Sequence, residues 1–196
     1  MTCLSGSYLA LLLKGVCLQN NVLIRERNMI YRLPELSDKD MLMAYVSEHR
    51  SNGENSISAS VGMLAGEFSD WVRNIHKNAS IGNEEWGRSL MYLCLSDDQL
   101  IGLLSIRYEL SESLRNKFGD IGYGVRPSER NRGYATEMLG YALSVCKQKG
   151  MKRVMLGCYK DNLASAATIK KNKGILLFEA DNYNEGRISQ YYSVDL

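Results

Sequence analysis

A basic, glycine-containing turn at residues 130–135 has the sequence Arg-Asn-Arg-Gly-Tyr-Ala. It follows a strand-like segment, 120–125, and precedes a helix-like segment that ends near Lys149. Backbone N–H groups at such a turn point towards a bound anion, and the dipole of the following helix favours negative charge there. Gly133 has no Cβ, so the backbone can approach the anion closely. These residue types and this spacing predict a phosphate-binding turn.

Two common nucleotide-binding motifs do not fit this turn. A P-loop requires Gly-Lys followed by Ser or Thr, and the chain contains no such sequence. A dinucleotide-binding loop requires G-x-G-x-x-G, but Gly122 and Gly124 are followed by Pro127 at the position of the third glycine. We therefore do not expect a nucleotide site of either kind.

The elements that must position the turn alternate between strand and helix patterns. Apolar periodicity and turn signals predict a strand, two helices, three strands, a helix, a strand, a helix and two strands. The predicted strands are 29–33, 89–96, 100–110, 118–126, 152–159, 175–181 and 188–194. The predicted helices are one capped by Ser37, then 60–77, 134–149 and 162–172.

This order indicates a single mixed α/β domain over residues 29–196, in which the strands on either side of helix 134–149 are parallel. Residues 1–28 are expected to be an N-terminal extension, because their apolar run is short and is broken by Lys14. An extra helix packed on the domain is the alternative for this segment.

Composition narrows the class of function. The net charge of +2 is too small to indicate a nucleic-acid partner, and the apolar run near the amino terminus is too short to cross a membrane. Five widely spaced cysteines and two histidines, His49 and His76, do not form a zinc-binding or disulfide pattern. Reduced thiols suggest a cytoplasmic protein. Both histidines are expected on helices and away from catalysis.

A second segment gives the turn its context. Asp161-Asn162-Leu163-Ala164-Ser165 follows the next predicted strand, where another helix begins. At this point the chain resembles the GNAT acyltransferase superfamily. Residues 123–135 are similar to that family's fourth strand and acetyl-CoA pyrophosphate loop, and Asn162 and Ser165 to its next cofactor-contacting region. The resemblance spans about 29–196 and is strongest to an uncharacterised bacterial acetyltransferase subgroup carrying an IGYGVRPSER-like segment.

The resemblance implies a mixed, mostly antiparallel central sheet of six to seven strands, flanked by helices, with a splayed parallel pair at the cofactor site. It also implies direct transfer of an acetyl group from acetyl-CoA to a primary amine on a small molecule or a protein. A homodimer is left open. The implied cofactor-binding residues are Tyr123, Gly124, Val125, Arg130, Asn131, Arg132, Gly133, Tyr134, Ala135 and Asn162. Plain surface charges at Arg130 and Arg132, and a simple helix cap at Asn162, are the alternative interpretations.

Acetyl transfer to an amine requires a base for the ammonium, stabilisation of the oxyanion and an acid for the departing thiolate. By resemblance, the base is a carboxylate near the fourth strand, with Asp120 as the first candidate and Glu109 as the second. Many family members carry a tyrosine acid where this chain has Ile169. Ser165 fits the position of a substitute acid, and Tyr159 is another donor.

Because the usual acid is missing, a non-catalytic module that binds acyl-CoA is the alternative function. Such a module would serve as a sensor or a scaffold.

Overall fold

The computed structural model describes residues 16–19, 22–25, 28–83, 87–110, 114–115, 119–181 and 186–196. The strands within these ranges are β1 Val16–Gln19, β2 Val22–Arg25, β3 Met29–Arg32, β4 Ser89–Ser96, β5 Gln99–Arg107, β6 Ile121–Val125, β7 Arg153–Tyr159, β8 Ile175–Ala180 and β9 Ser189–Asp195. The α-helices are α1 Lys39–Ser51, α2 Phe68–Ser80, α3 Tyr134–Gln148 and α4 Leu163–Lys171. From β3 onwards, the order of elements is the one that the sequence predicted.

The strands form two main antiparallel sheets and one hairpin. The first sheet has the order β3-β4-β5-β6, and the second has the order β7-β9-β8. These seven strands confirm the predicted mixed and mostly antiparallel fold. Strands β1 and β2 pair with each other in an antiparallel arrangement. The rest of the segment 1–27, on which the alternative of an extra helix depends, lies outside the described residues.

The four-stranded sheet is covered on both faces. Helices α1 and α2 pack on one face through Leu42, Tyr45, Trp71, Leu93 and Leu103. Helix α3 packs on the other face, and its predicted apolar stripe is buried at Met138, Leu139, Ala142, Val145 and Cys146. Among the described residues, no helix combines the length and the apolar character that a membrane crossing requires.

Helix α2 begins at Phe68, eight residues after the predicted start at position 60, so the longer prediction was wrong. The backbone before it has positive φ angles at Ala59 (62°) and Gly62 (78°), which a right-handed helix does not allow. Val61 is consequently 91% exposed. Its carbonyl accepts a hydrogen bond from Trp71 Nε1 at 3.2 Å, which fixes the turn against α2.

The entry to α1 also differs from the prediction, because Ser37 is not its N-cap. Ser37 lies inside a short 3-10 turn, Leu36–Asp38, that precedes the helix. The Asp38 carboxylate accepts a hydrogen bond from the Glu35 N–H at 2.7 Å and pairs with Arg32. That ion pair ties the end of β3 to the start of α1.

Strands β6 and β7 touch at one end and then separate. The Asp120 N–H donates to the Met155 carbonyl at 2.7 Å, and the Met155 N–H donates to Asp120 Oδ2 at 2.8 Å. Beyond this contact, the described strands β6 and β7 share no ladder, and both run along the same cleft. This is the splayed pair that the resemblance implied.

Candidate active site

A cleft of about 1200 Å³ lies between the separated strands. Strand β6 forms one wall and the end of β7 the other, while the first turns of α3 and α4 and the loop 54–58 complete it. Most of the predicted cofactor-binding residues line this cleft, namely Tyr123, Gly124, Val125, Arg130, Asn131, Gly133, Tyr134, Ala135 and Asn162. Arg132 is not among the lining residues.

The predicted phosphate turn has the backbone shape that anion binding requires. Asn131 and Gly133 both have positive φ angles, 60° and 85°, and α3 starts immediately afterwards at Tyr134. Residues with left-handed backbone conformation beside residues with right-handed conformation turn successive N–H groups towards one point. The first N–H groups of a helix also have no partner within the helix. The turn therefore presents donors to the cleft at the positive end of the α3 dipole.

The two arginines of the turn are already paired with carboxylates. Arg130 makes a two-pronged ion pair with Glu54, at 2.5 Å from Nη1 and 2.7 Å from Nη2, and its Nε donates to the Val125 carbonyl at 3.1 Å. Arg132 pairs with Glu129 at 2.9 Å. The resemblance implied that both arginines bind the cofactor, but their carboxylate partners reduce their net positive charge.

Glu54 and His49 are site residues that sequence reasoning missed. Hydrogen bonds from Arg130 lower the pKa of Glu54 to about 2, so this carboxylate is ionised. His49 Nδ1 lies 2.7 Å from Glu54 Oε2, and both residues line the cleft. His49 is only 2% exposed, and its Nε2 has no hydrogen-bond partner among the described residues. His49 and Glu54 are five residues apart in the sequence, and this spacing was the signal that could have indicated their contact. It does not indicate that Glu54 also pairs with Arg130.

The start of α4 brings a polar pair to the opposite wall. Asn162 Oδ1 accepts a hydrogen bond from the Ser165 N–H at 3.1 Å, so Asn162 is the N-cap of the helix. Its side-chain nitrogen is not used in this bond and Asn162 still lines the cleft. Ser165 Oγ lies 3.0 Å from the Tyr123 hydroxyl, which crosses from β6. Burial raises the pKa of Tyr123 to about 12, so the phenol carries its proton.

A family model described as the Acetyltransferase (GNAT) family matches residues 62–174, more than half of the chain. The chain belongs to this family.

Solved structures with the same fold cover most of the chain. RimL, a ribosomal L7/L12 alpha-N-protein acetyltransferase in complex with coenzyme A, is 19% identical with a TM-score of 0.64 over 86% of this chain and 94% of its own. The microcin C7 self-immunity acetyltransferase MccE, in complex with acetyl-CoA and AMP, is 19% identical with a TM-score of 0.65 over 86% of this chain and 92% of its own. The Salmonella typhimurium protein yncA, with its cofactor acetyl-CoA, is 11% identical with a TM-score of 0.60 over 86% of this chain and 94% of its own. No curated protein matches the chain in sequence.

At Ile169, where the resemblance implied that a tyrosine acid is usual, the GNAT chain has an apolar core residue. Ile169 is 1% exposed, packs in the core cluster with α3 and does not line the cleft. Tyr159 does line the cleft, but the Arg187 guanidinium covers its ring at 3.8 Å. Ser165 and Tyr123 are thus the hydroxyl pair that reaches across between the two walls.

The two carboxylates predicted as bases do not line the GNAT cleft. Asp120 is fully buried, and its oxygens bind Arg115 Nε and the Met155 N–H, both at 2.8 Å. Burial raises the pKa of this carboxyl. Glu109 lies near the surface, where Arg88 Nε donates to it at 2.9 Å and lowers its pKa. These contacts favour structural roles for both side chains, and their assignment as bases stays a prediction.

Proposed function

We propose that this GNAT chain is an acetyl-CoA-dependent N-acetyltransferase that moves an acetyl group directly to a primary amine. One observation carries the proposal: the cleft between β6 and β7 is continuous with the anion-binding turn at 131–135. A long ligand with a diphosphate at one end fits that shape. The splayed strand β6 offers its open edge to an extended arm, as in recognition by an added strand.

When bound, acetyl-CoA would supply the acetyl group as a thioester. The backbone of 131–135 would hold the pyrophosphate, and the free side-chain nitrogen of Asn162 would donate to the pantetheine arm. The N–H near Val125 would stabilise the oxyanion that forms when the amine nitrogen attacks the carbonyl carbon.

The protonation of the leaving sulfur is assigned to the hydroxyl pair on the walls of the cleft. The amine would attack as the free base, its ammonium proton having passed to water. As the carbon–sulfur bond breaks, Ser165 Oγ would give its proton to the sulfur and would take up the proton that the attacking nitrogen loses, while the Tyr123 hydroxyl at 3.0 Å would donate a hydrogen bond to the serine oxygen. Neither Asp120 nor Glu109 is given the role of base in this scheme, because their oxygens are bound to other groups outside the cleft.

Titration calorimetry with acetyl-CoA tests cofactor binding. We expect binding in the micromolar range for the wild-type chain and a loss of at least tenfold for Gly133→Glu, because a carboxylate would then face the pyrophosphate. Gly150→Glu is the matched control, since Gly150 also has a positive φ (82°) but lies at the other end of α3. Absence of heat with the wild-type chain at high micromolar acetyl-CoA contradicts the proposal.

A non-catalytic acyl-CoA sensor or scaffold is the second candidate, and the burial of Ile169 favours it. A panel of amines separates the two functions when free thiol release and product mass are measured together. The panel should contain a peptide with a free amino terminus, a lysine peptide, a polyamine and an aminoglycoside. Turnover of any amine supports the enzyme, whereas binding of acetyl-CoA without turnover supports the module.

A further inference from the structure

His49 and Glu54 form a pair at the end of α1 in which one buried polar atom has no partner among the described residues. Glu54 is ionised, so its oxygen can only accept, and the proton in the 2.7 Å contact belongs to His49 Nδ1. The neutral ring therefore presents Nε2 as an acceptor, although only 2% of His49 is exposed. Because His49 lines the cleft, a donor that occupies the cleft is the partner that Nε2 can take.

Tyr45 holds the His49 ring beside strand β6. The Tyr45 ring lies one helical turn before His49, with the ring centroids 4.5 Å apart and the planes tilted by 55°. Its hydroxyl donates to the Gly124 carbonyl at 3.2 Å. A Cβ on Gly124 would lie 3.4 Å from that hydroxyl and from Ser58 Cβ, so this face of β6 is turned towards α1 and the loop 54–58. The end of α1 that carries His49 is thus fixed beside a residue of the cleft wall.

The hydroxyl pair assigned to the leaving sulfur lies on the other face of β6. Successive residues of a strand point to opposite faces, and Tyr123 precedes Gly124. The Tyr123 ring packs against the core cluster that contains α3, and its hydroxyl reaches Ser165 of α4. His49 and Ser165 therefore line the same cleft from different sides. Such positions suit a reaction in which the nitrogen and the sulfur are different substituents of one carbon.

We propose that His49 is the catalytic base of the acetyl transfer proposed above, on which this assignment rests. Nε2 accepts a proton from the ammonium group of the acceptor, within hydrogen-bond reach or through one water, and then releases it to solvent. The electron pair of the broken N–H bond stays on the nitrogen, which attacks the carbonyl carbon of the thioester. Glu54 is a positioning residue, because it keeps a proton on Nδ1 and balances the charge of the imidazolium.

The charged groups next to this pair are already balanced. Arg130 from the phosphate turn binds Glu54, and Glu48, which precedes the histidine on α1, binds Arg126. Both carboxyls have a pKa of about 2 and are ionised. The Tyr45 phenol carries its proton, because burial raises its pKa. The imidazole is therefore the group of this cluster that is left to exchange a proton.

Kinetics of His49→Asn test the base, with the amine of the panel that the wild-type chain turns over fastest. Asparagine keeps a donor for Glu54 but lacks Nε2, so kcat/KM at pH 7 should fall about 100-fold. The deficit should shrink at about pH 9.5, because more of the amine is then free base without help from the protein. An equal deficit at both pH values would indicate a structural role and overturns the proposal. His76→Asn is the matched control and should leave kcat/KM unchanged, since His76 Nε2 lies 2.9 Å from the Pro34 carbonyl and His76 does not line the cleft.

Glu54→Gln separates the base from cofactor binding. The neutral amide still accepts a hydrogen bond from Nδ1 but does not balance the imidazolium, so kcat should fall about tenfold. Coenzyme A should bind this variant more tightly, because Arg130 loses its carboxylate partner. Tighter binding with an unchanged kcat overturns the proposed pair.

The wild-type chain allows a measurement that does not depend on any loss of activity. The chain has two histidines, so long-range proton–nitrogen spectra of isotope-labelled protein resolve both rings, and His76→Asn assigns them. At pH 8, His49 should carry its proton on Nδ1, and a neutral ring protonated on Nε2 overturns the proposal. A His49→Asn chain that is folded by circular dichroism and has wild-type turnover at pH 7 overturns the base and leaves the acetyltransferase standing. A wild-type chain that binds acetyl-CoA but turns over no amine overturns both.

Discussion

The Tyr123 hydroxyl lies 3.0 Å from Ser165 Oγ, and this contact joins strand β6 to the first turn of α4 across the cleft. The two residues are 42 positions apart in the chain. Because β6 and β7 diverge, this side-chain contact spans a gap that backbone pairing does not close. Both residues line the cleft.

Removal of the Ser165 hydroxyl is expected to slow turnover. Ser165→Ala should lower kcat by about 100-fold with little change in KM, because a proton donor acts mainly in the transition state. Tyr123→Phe should lower kcat by about 10-fold, because Ser165 would keep its own proton but would lose the hydrogen bond from the Tyr123 hydroxyl. Steady-state thiol release with one amine measures both. Ser144→Ala is the control, because the Ser144 hydroxyl donates to the Tyr141 carbonyl within α3 and does not line the cleft. An unchanged kcat in Ser165→Ala would contradict the assignment.

Asp120 is expected to contribute to stability. Asp120→Ala should lower the free energy of unfolding by about 2–4 kcal/mol, because it leaves the buried Met155 N–H and the Arg115 guanidinium without their partner. Asp120→Asn keeps an oxygen acceptor and should cost only about 1 kcal/mol. Urea unfolding measures the difference. Asp195→Ala, at an exposed ion pair with Arg153, should stay within about 0.5 kcal/mol of wild type.

Neutralisation of Glu54 is expected to strengthen cofactor binding. Glu54→Gln removes a negative charge beside the phosphate turn and releases Arg130 from its ion pair, so the dissociation constant for coenzyme A should fall about fivefold. Titration calorimetry at low and high salt measures it, and the gain should shrink as salt screens the charges. Glu48→Gln is the control, because Glu48 pairs with Arg126 and does not line the cleft. Weaker binding by Glu54→Gln would mean that the Glu54–Arg130 pair holds the turn in shape.

Glu48 and Glu54 are expected to make the fold sensitive to acid. Burial raises the pKa of Glu48, but hydrogen bonds from Arg126 and Ser128 outweigh this effect and lower the pKa to about 2. Hydrogen bonds from Arg130 likewise lower the pKa of Glu54 to about 2. Both pKa values lie below the ordinary value of 4.5 for a glutamate. The two ionised carboxylates therefore stabilise the folded state fully above about pH 4.5, and this contribution is lost as the pH falls towards 2. Unfolding free energies measured between pH 6 and 2.5 should fall less steeply in the double Gln variant than in wild type.

The sequence predicted those features that depend on neighbours along the chain. The order of elements follows from local periodicity, and the phosphate turn follows from Gly133 and the start of α3. The contacts that complete the site are between residues far apart in sequence, such as Glu54 with Arg130. No local pattern encodes such a pair. Asp120 was predicted at a strand end correctly, but its burial depends on packing against β7, which the sequence does not display.

The separation of β6 from β7 gives the chain two internal sheet edges. Strand edges with open hydrogen-bonding groups attract other strands, which is the usual route to aggregation. A ligand that lies along these edges would cover them and would bind the folded chain alone, so it would stabilise the fold by RT ln(1 + [L]/Kd). Under the proposed function, coenzyme A would therefore raise the free energy of unfolding of this protein as well as serve its reaction.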